Sequence, residues 1–274
     1  MDMSRLAVDR GRTLSFEAYG MNSTRPTVVL SHGWGMSARA WDDVTASLCD
    51  AGYPVVVYDH RACGQSDKDF DDVSIDALSG DVVALCDQLG LRSVVLNGWS
   101  LGGAVVVGAA ARLGARVAGL VLTGGATPRY TQAEGFPHGG TPADVAATIA
   151  ALRADRVSFL HGLYFQGVFA APVSDVLKQR MFALALEAGP AADASLGALA
   201  HVDQREIMRG LNVPALVVTG DQDGVVPPAI AAFAANLLPR GELVVMPGCG
   251  HAPFAEDRAS YLAHLHRFLG TITS

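Results

Sequence analysis

Asn97-Gly98-Trp99-Ser100-Leu101-Gly102 follows directly on the apolar run Val94-Val95-Leu96 and leads directly into the small-residue run Gly103-Ala104-Val105-Val106-Val107. An apolar strand, a glycine-flanked serine and a small-residue helix, in that order, predict a tight strand-to-helix turn with Ser100 at its tip. Gly98 and Gly102 leave room for such a turn where a β-carbon would collide. A hydroxyl held there stands at a helix N-terminus, where backbone N–H groups stabilise negative charge on a bound substrate. Covalent acyl transfer is therefore the first expectation. The alternative is that Ser100 merely caps the helix.

Working outward, strand-like segments recur at Leu14 to Ala18, Thr27 to Leu30, Val55 to Tyr58, Val94 to Leu96 and Val117 to Leu122. Helical stretches lie near Trp41 to Asp50, Ile75 to Leu89 and Leu101 to Leu113. This alternation predicts an α/β fold with a mostly parallel sheet covered on both faces. From Ala126 to Gly210 no clear strand is seen, and helix-like stretches such as Ala143 to Arg153 and Val173 to Leu186 take over. A strand returns at Val213 to Gly220, followed by helix Ala229 to Leu238, strand Leu243 to Met246 and a closing helix near Ala259 to Phe268. The expected organisation is a core of residues 1–125 and 211–274 with a helical cap at 126–210. Its aromatic and leucine cluster at residues 159–169 would lie over the carboxyl ends of the strands, where open sheets bind ligands.

Composition narrows the function classes. Half of the 274 residues are hydrophobic, only 17% are charged, and the formal net charge is -7. This supports a large core and gives no basis for binding nucleic acid or an anionic membrane, both of which need a concentrated positive field. The first ten residues show no signal-peptide pattern. The longest apolar or glycine run, Leu101 to Ala111, falls short of the about 18 residues of a membrane span. Cys49, Cys63, Cys86 and Cys249 lack CxxC spacing, which suggests free thiols and a cytoplasmic location. No Gly-Lys-Ser/Thr phosphate loop and no Gly-x-Gly-x-x-Gly dinucleotide loop is present, so no cofactor is expected. No metal is expected either, because Cys249 and His251 have no further ligand pair at useful spacing.

A serine needs a base. Of the eight histidines, His251 is the best placed, in the glycine-rich loop Pro247-Gly248-Cys249-Gly250-His251-Ala252-Pro253-Phe254 between the last strand and the last helix. His264 and His266 fall within that helix, and His161 and His201 belong to the cap. The base needs an acid to fix its tautomer. Asp221 and Asp223, in Gly220-Asp221-Gln222-Asp223-Gly224, both follow the returned strand. Ser31-His32-Gly33-Trp34-Gly35 follows the strand Thr27 to Leu30, and its glycines let the backbone turn N–H groups toward the nucleophile. The N–H groups of Trp34 and Leu101 would make a two-donor oxyanion hole, each donor worth about 3 kcal/mol in the transition state. His32 is expected to bond loop backbone, while Asp59 and Arg61 pin the loop Asp59 to Asp67 through charge-assisted bonds.

With these segments on the page, the chain resembles the α/β-hydrolase-fold serine enzymes over nearly its full length. The resemblance rests on His32-Gly33-Trp34-Gly35, Asp59 through Asp67, Gly98-Trp99-Ser100-Leu101-Gly102-Gly103, Gly220-Asp221-Gln222-Asp223 and Gly250-His251-Ala252-Pro253-Phe254. It implies Ser100 as nucleophile, Asp223 rather than Asp221 as acid, His251 as base, and Trp34 and Leu101 as oxyanion donors. Two subgroups are similar: the carboxylesterases that demethylate pimeloyl carrier-protein esters, and the cofactor-free haloperoxidases or perhydrolases. One departure is Ala62-Cys63, where many relatives carry glycine first. The cap lacks a dense basic patch for an acidic carrier protein.

The expected activity is hydrolysis of a small or medium apolar acyl ester through an acyl-enzyme. Trp34, Phe159, Leu163, Tyr164 and Phe169 are the candidate pocket residues. Perhydrolysis and lactone hydrolysis use the same triad, and a non-catalytic small-ligand receptor on the same fold is the alternative of another class. The partner expected is a small-molecule ester. Apolar cap surface could face substrate or a second copy in a homo-oligomer.

Overall fold

A computed structural model of the chain describes residues 4–272; residues 1–3 and 273–274, the outer ends of the expected core segments, lie outside the described residues. Eight strands form one sheet: β1 Ser4–Ala7, β2 Thr13–Tyr19, β3 Thr27–Ser31, β4 Val55–Tyr58, β5 Val94–Trp99, β6 Val117–Thr123, β7 Ala215–Gly220 and β8 Gly241–Met246. Their spatial order is β1-β2-β4-β3-β5-β6-β7-β8, with β1 and β2 antiparallel and every pairing from β4 onward parallel. β3, β4, β5 and β7 are buried along their whole length. Such strands read as continuous apolar runs because helices cover both faces.

Those helices are α1 Asp42–Asp50, α2 Ile75–Gln88 and α3 Leu101–Leu113 in the first half, and α9 Pro228–Leu237, α10 Pro253–Glu256 and α11 Arg258–Gly270 in the second. Between β6 and β7 the chain leaves the sheet as α4 Pro142–Ala154, α5 Arg156–Gly162, α6 Asp175–Leu186, α7 Ala192–Leu199 and α8 Arg205–Gly210. The starts of this inserted helical region are locally encoded. Thr141 and Asp144 form a capping box that spans Pro142 at the first helical position, while Asp155 and Ser174 accept from the N–H groups of Ser158 and Leu177. Only isolated bridges, Thr131 with Gly140 and Ala133 with Phe136, interrupt the region. Among the described residues no helix is long and apolar enough to cross a membrane.

Register decides where the loops emerge. Ser31 pairs with Gly98, Trp99 with Thr123, and Thr123 with Val218. The carboxyl ends of β3, β5, β6 and β7 therefore lie level, and the loops after them converge at one edge. The strand order reverses beside β5, the point at which open α/β sheets bind ligands. A buried polar group underlies this edge. Asn97 Nδ2 donates to the Tyr261 hydroxyl at 3.0 Å, Thr123 Oγ1 donates to Asn97 Oδ1 at 3.0 Å, and the Thr123 and Tyr261 hydroxyls bond at 2.9 Å. Helix α11 is thereby fixed beneath β5 and β6.

Candidate active site

Ser100 joins β5 to α3 at φ 56 and ψ -122, a backbone region that L-residues rarely adopt. The turn is tight: a β-carbon on Gly98 would fall 2.2 Å from the Gly102 carbonyl oxygen, and one on Gly102 would fall 2.5 Å from the carbonyl oxygens of Ser31 and His32. Ser100 N–H donates to Thr123 at 3.0 Å, and its carbonyl accepts from Gly103 and Ala126 at 2.9 Å. Its side chain makes no capping bond although it occupies the N-cap position of α3. The strain holds the hydroxyl clear of the helix, and Ser100 opens on a cavity of about 90 Å³ that His251 also lines.

His251 is buried and held from three directions. Its Nδ1 and Asp223 Oδ2 are 2.8 Å apart, its N–H donates to Val168 at 2.8 Å, and its carbonyl accepts the Trp99 indole N–H at 2.9 Å. Asp223 is buried too, and its second oxygen accepts from the N–H groups of Val225 at 2.9 Å and Val226 at 2.8 Å. Asp221 is exposed and accepts only from Gly248 N–H, at 2.7 Å. Of the two acids left open by local sequence, Asp223 is the one that meets His251. The imidazole Nδ1–H donating to a carboxylate leaves Nε2 as an acceptor, the tautomer a general base requires.

Trp34 and Leu101 both line the cavity, and Leu101 is the first residue of α3, where a helix leaves its N–H groups without a partner one turn back. The Trp34 indole N–H donates to Ala192 in α7 at 3.0 Å, tying this loop to the inserted region. Behind it, His32 Nδ1 donates to the Gly33 carbonyl at 2.7 Å and its Nε2 accepts from His60 N–H at 2.9 Å. A neutral ring satisfies both bonds. Burial, with a smaller push from Lys68, depresses His32 to about 4, and burial beside His32 depresses the stacked His60 as well. Asp59 accepts from Ala38 and Gln65 N–H groups at 2.7 Å each, and Arg61 makes a two-pronged buried pair with Asp81, both arms at 2.7 Å. Ala62, at the departure from relatives, sits at φ 63.

Of the expected pocket residues, Trp34, Phe159, Leu163 and Tyr164 line the cavity, and Phe169 does not. The cause is a π-helical turn over Leu163–Gly167, where Val168 N–H reaches back five residues to Leu163 at 2.9 Å. The extra residue in that turn rotates the following side chains, so Val168 faces the cavity and Phe169 packs elsewhere on the core. Tyr130, Leu196 and Leu199 are also among the residues of the wall, without any pattern in the sequence that marked them. Burial raises the Tyr130 phenol, and the Asp223 charge raises it further. Tyr164 is also raised by burial, and its hydroxyl donates to Met36 Sδ at 2.8 Å. Among the described residues no group of three or more His, Cys, Asp or Glu side chains converges as a metal site.

Comparison with known proteins agrees with this architecture. A sequence profile of the alpha/beta hydrolase fold matches residues 26–258. A non-heme haloperoxidase of Rhodococcus erythropolis is 32% identical over 269 residues, covering 94% of this chain and 96% of that protein. A pimeloyl-[acyl-carrier protein] methyl ester esterase of Neisseria meningitidis is 29% identical over 247 residues, covering 88% and 93%. The solved structure of an esterase from Exiguobacterium antarcticum superposes with a TM-score of 0.94 at 27% identity, covering 98% of this chain and all of that one. The strained serine turn at the reversal of strand order and the match over residues 26–258 lead to one conclusion: this chain belongs to the α/β-hydrolase fold family.

Proposed function

We propose that the chain is a serine carboxylic ester hydrolase with Ser100 as nucleophile, His251 as general base and acid, and Asp223 as the group that orients it. The observation that carries this reading is the 2.8 Å contact of His251 Nδ1 with Asp223 in the wall of the cavity onto which Ser100 opens. His251 Nε2 takes the Ser100 proton as Oγ attacks the ester carbonyl, and the N–H groups of Trp34 and Leu101 receive the oxyanion. The tetrahedral intermediate expels the alcohol, which takes the proton from His251. Water, deprotonated by the same imidazole, attacks the acyl-enzyme; collapse returns the proton to Ser100 and releases the acid.

The cavity is small, about 90 Å³, and its walls are mainly aromatic and aliphatic. That supports a short apolar acyl group over a long chain delivered on a carrier protein. Similarity to a non-heme haloperoxidase over 94% of the chain favours a second outcome for the same acyl-enzyme, attack by hydrogen peroxide to give a peracid.

The test is turnover of nitrophenyl acetate, butyrate and octanoate, of simple lactones, and of acetate with hydrogen peroxide. Folded Ser100→Ala protein serves as control. Short-ester turnover abolished by Ser100→Ala supports the reading, with peracid release marking the second outcome. Full turnover by Ser100→Ala, or fluorophosphonate labelling of Ser100 without sustained turnover, overturns it; the latter result is that of a ligand receptor.

A further inference from the structure

Glu256, the last residue of α10, collects four backbone N–H groups on one carboxylate. Oε2 accepts from Ala170 at 2.8 Å, Ala171 at 2.9 Å and Gly250 at 2.7 Å, while Oε1 accepts from Ala252 at 3.0 Å. Gly250 and Ala252 flank His251. Ala170 and Ala171 belong to the inserted region, just beyond Val168, which lines the cavity and accepts the His251 N–H. The two backbones run so close that a β-carbon on Gly250 would fall 2.7 Å from both Ala170 N and the Val168 carbonyl oxygen. A side chain that only capped α10 would need the Ala252 bond alone. The other three bonds do nothing for that helix and join the histidine loop to the cavity wall.

We propose that Glu256 is a positioning residue for His251, holding the backbone on both sides of the imidazole against segment 168–171 of the inserted region. The proposal rests on the reading of His251 as the base. Bonds from N–H groups to a carboxylate are about twice as strong as neutral ones. Four of them converging here fix the backbone that carries the imidazole into the cavity it shares with Ser100, where a misplacement of about 1 Å costs on the order of 10²-fold in rate. They also make the Val168 wall and the base move as one body.

The experiment measures kcat on a short nitrophenyl ester, normalised to serines titrated to completion with fluorophosphonate, for Glu256→Ala, Glu256→Asp and Glu256→Gln. Alanine removes the carboxylate and aspartate falls one methylene short, so both are expected to lower kcat per reactive serine by about 10–100-fold. Glutamine recovers to within about fivefold, because its carbonyl oxygen still takes the three N–H groups that converge on Oε2, while its NH2 faces the Ala252 N–H and gives up only that bond. In a His251→Ala background, Glu256→Ala produces no further loss, since the residue acts through the imidazole. Should the alanine chain fail to fold, the aspartate and glutamine variants carry the same contrast. A lower melting temperature with per-serine kcat within twofold of the parent, or an equal loss with and without His251, overturns the proposal and leaves Glu256 a brace for α10. Wild-type turnover by His251→Ala removes the assignment of the base itself, and this proposal with it.

Discussion

The indole N–H of Trp99 donates to the main-chain carbonyl of His251 at 2.9 Å, across 152 positions of sequence. The residue before the candidate nucleophile thus fixes the backbone of the candidate base, and the two rings lie at 5.6 Å between centroids. Trp99→Phe keeps an aromatic ring and removes the donor. The orphaned buried carbonyl is expected to cost about 1–3 kcal/mol of stability. Ester turnover should fall by more than about tenfold as the imidazole loses its setting. Thermal melting and kcat measured on the same preparation check both effects.

Asp223→Asn tests the tautomer. One side-chain oxygen is committed to the N–H groups of Val225 and Val226, so the amide NH2 must face His251. The imidazole then accepts at Nδ1 and carries its proton on Nε2, so that nitrogen has no lone pair left to take the Ser100 proton. Turnover is expected to drop by about 10²–10⁴-fold with the fold retained. A drop smaller than tenfold would contradict the assigned role.

Acid should weaken the fold before ordinary carboxylates titrate. His32 is neutral and buried, with its folded value near 4 against 6.5 when free. The unfolded chain binds the proton more readily, so its contribution to stability is complete above pH 6.5 and is lost as pH falls through about 4. The loss is on the order of 3 kcal/mol from this residue, with His60 adding in the same direction. Melting temperature followed from pH 7 to 4 should decline across that window. A flat profile there would show that His32 takes up its proton as readily in the folded chain as in the unfolded one, which would overturn its reading as a buried ring held neutral.

Leu163→Ala should shift chain-length preference. Leu163 forms part of the cavity wall and is only half-buried, so truncation enlarges the acyl space at modest cost to folding. One or two added methylenes in the preferred acyl group, each worth about 1 kcal/mol or more in selectivity, are expected. The ratio of kcat/KM for octanoate and butyrate esters measures it.

What was legible in the sequence was whatever the backbone encodes locally. Gly98 and Gly102 are required by approaches of 2.2 and 2.5 Å, and such demands leave a residue type behind. Buried parallel strands announce themselves as apolar runs, which is why β3 to β7 could be read. β1 could not: only Leu6 of its four residues is buried, too little for an alternating pattern. Phe169 was misplaced because a π-helical turn shifts the helical register without altering composition. Tyr130 reaches the cavity from the segment after β6, and Leu196 and Leu199 from one face of α7, two stretches that no spacing connects. Glu256 bonds only backbone N–H groups, which every residue but proline carries, so its partners have no signature.

Tyr261 carries a consequence for how the chain matures. Its hydroxyl supports Asn97 and Thr123 beneath the serine turn, yet it enters the chain 164 positions after Asn97. During synthesis β5 and α3 leave the ribosome long before the helix that underpins them. Asn97 and Thr123 must wait with one partner missing until α11 docks. The Ser100 turn is therefore completed last, after the walls that will surround it, and a nascent chain halted before α11 would carry every residue of the proposed triad without the floor that sets it.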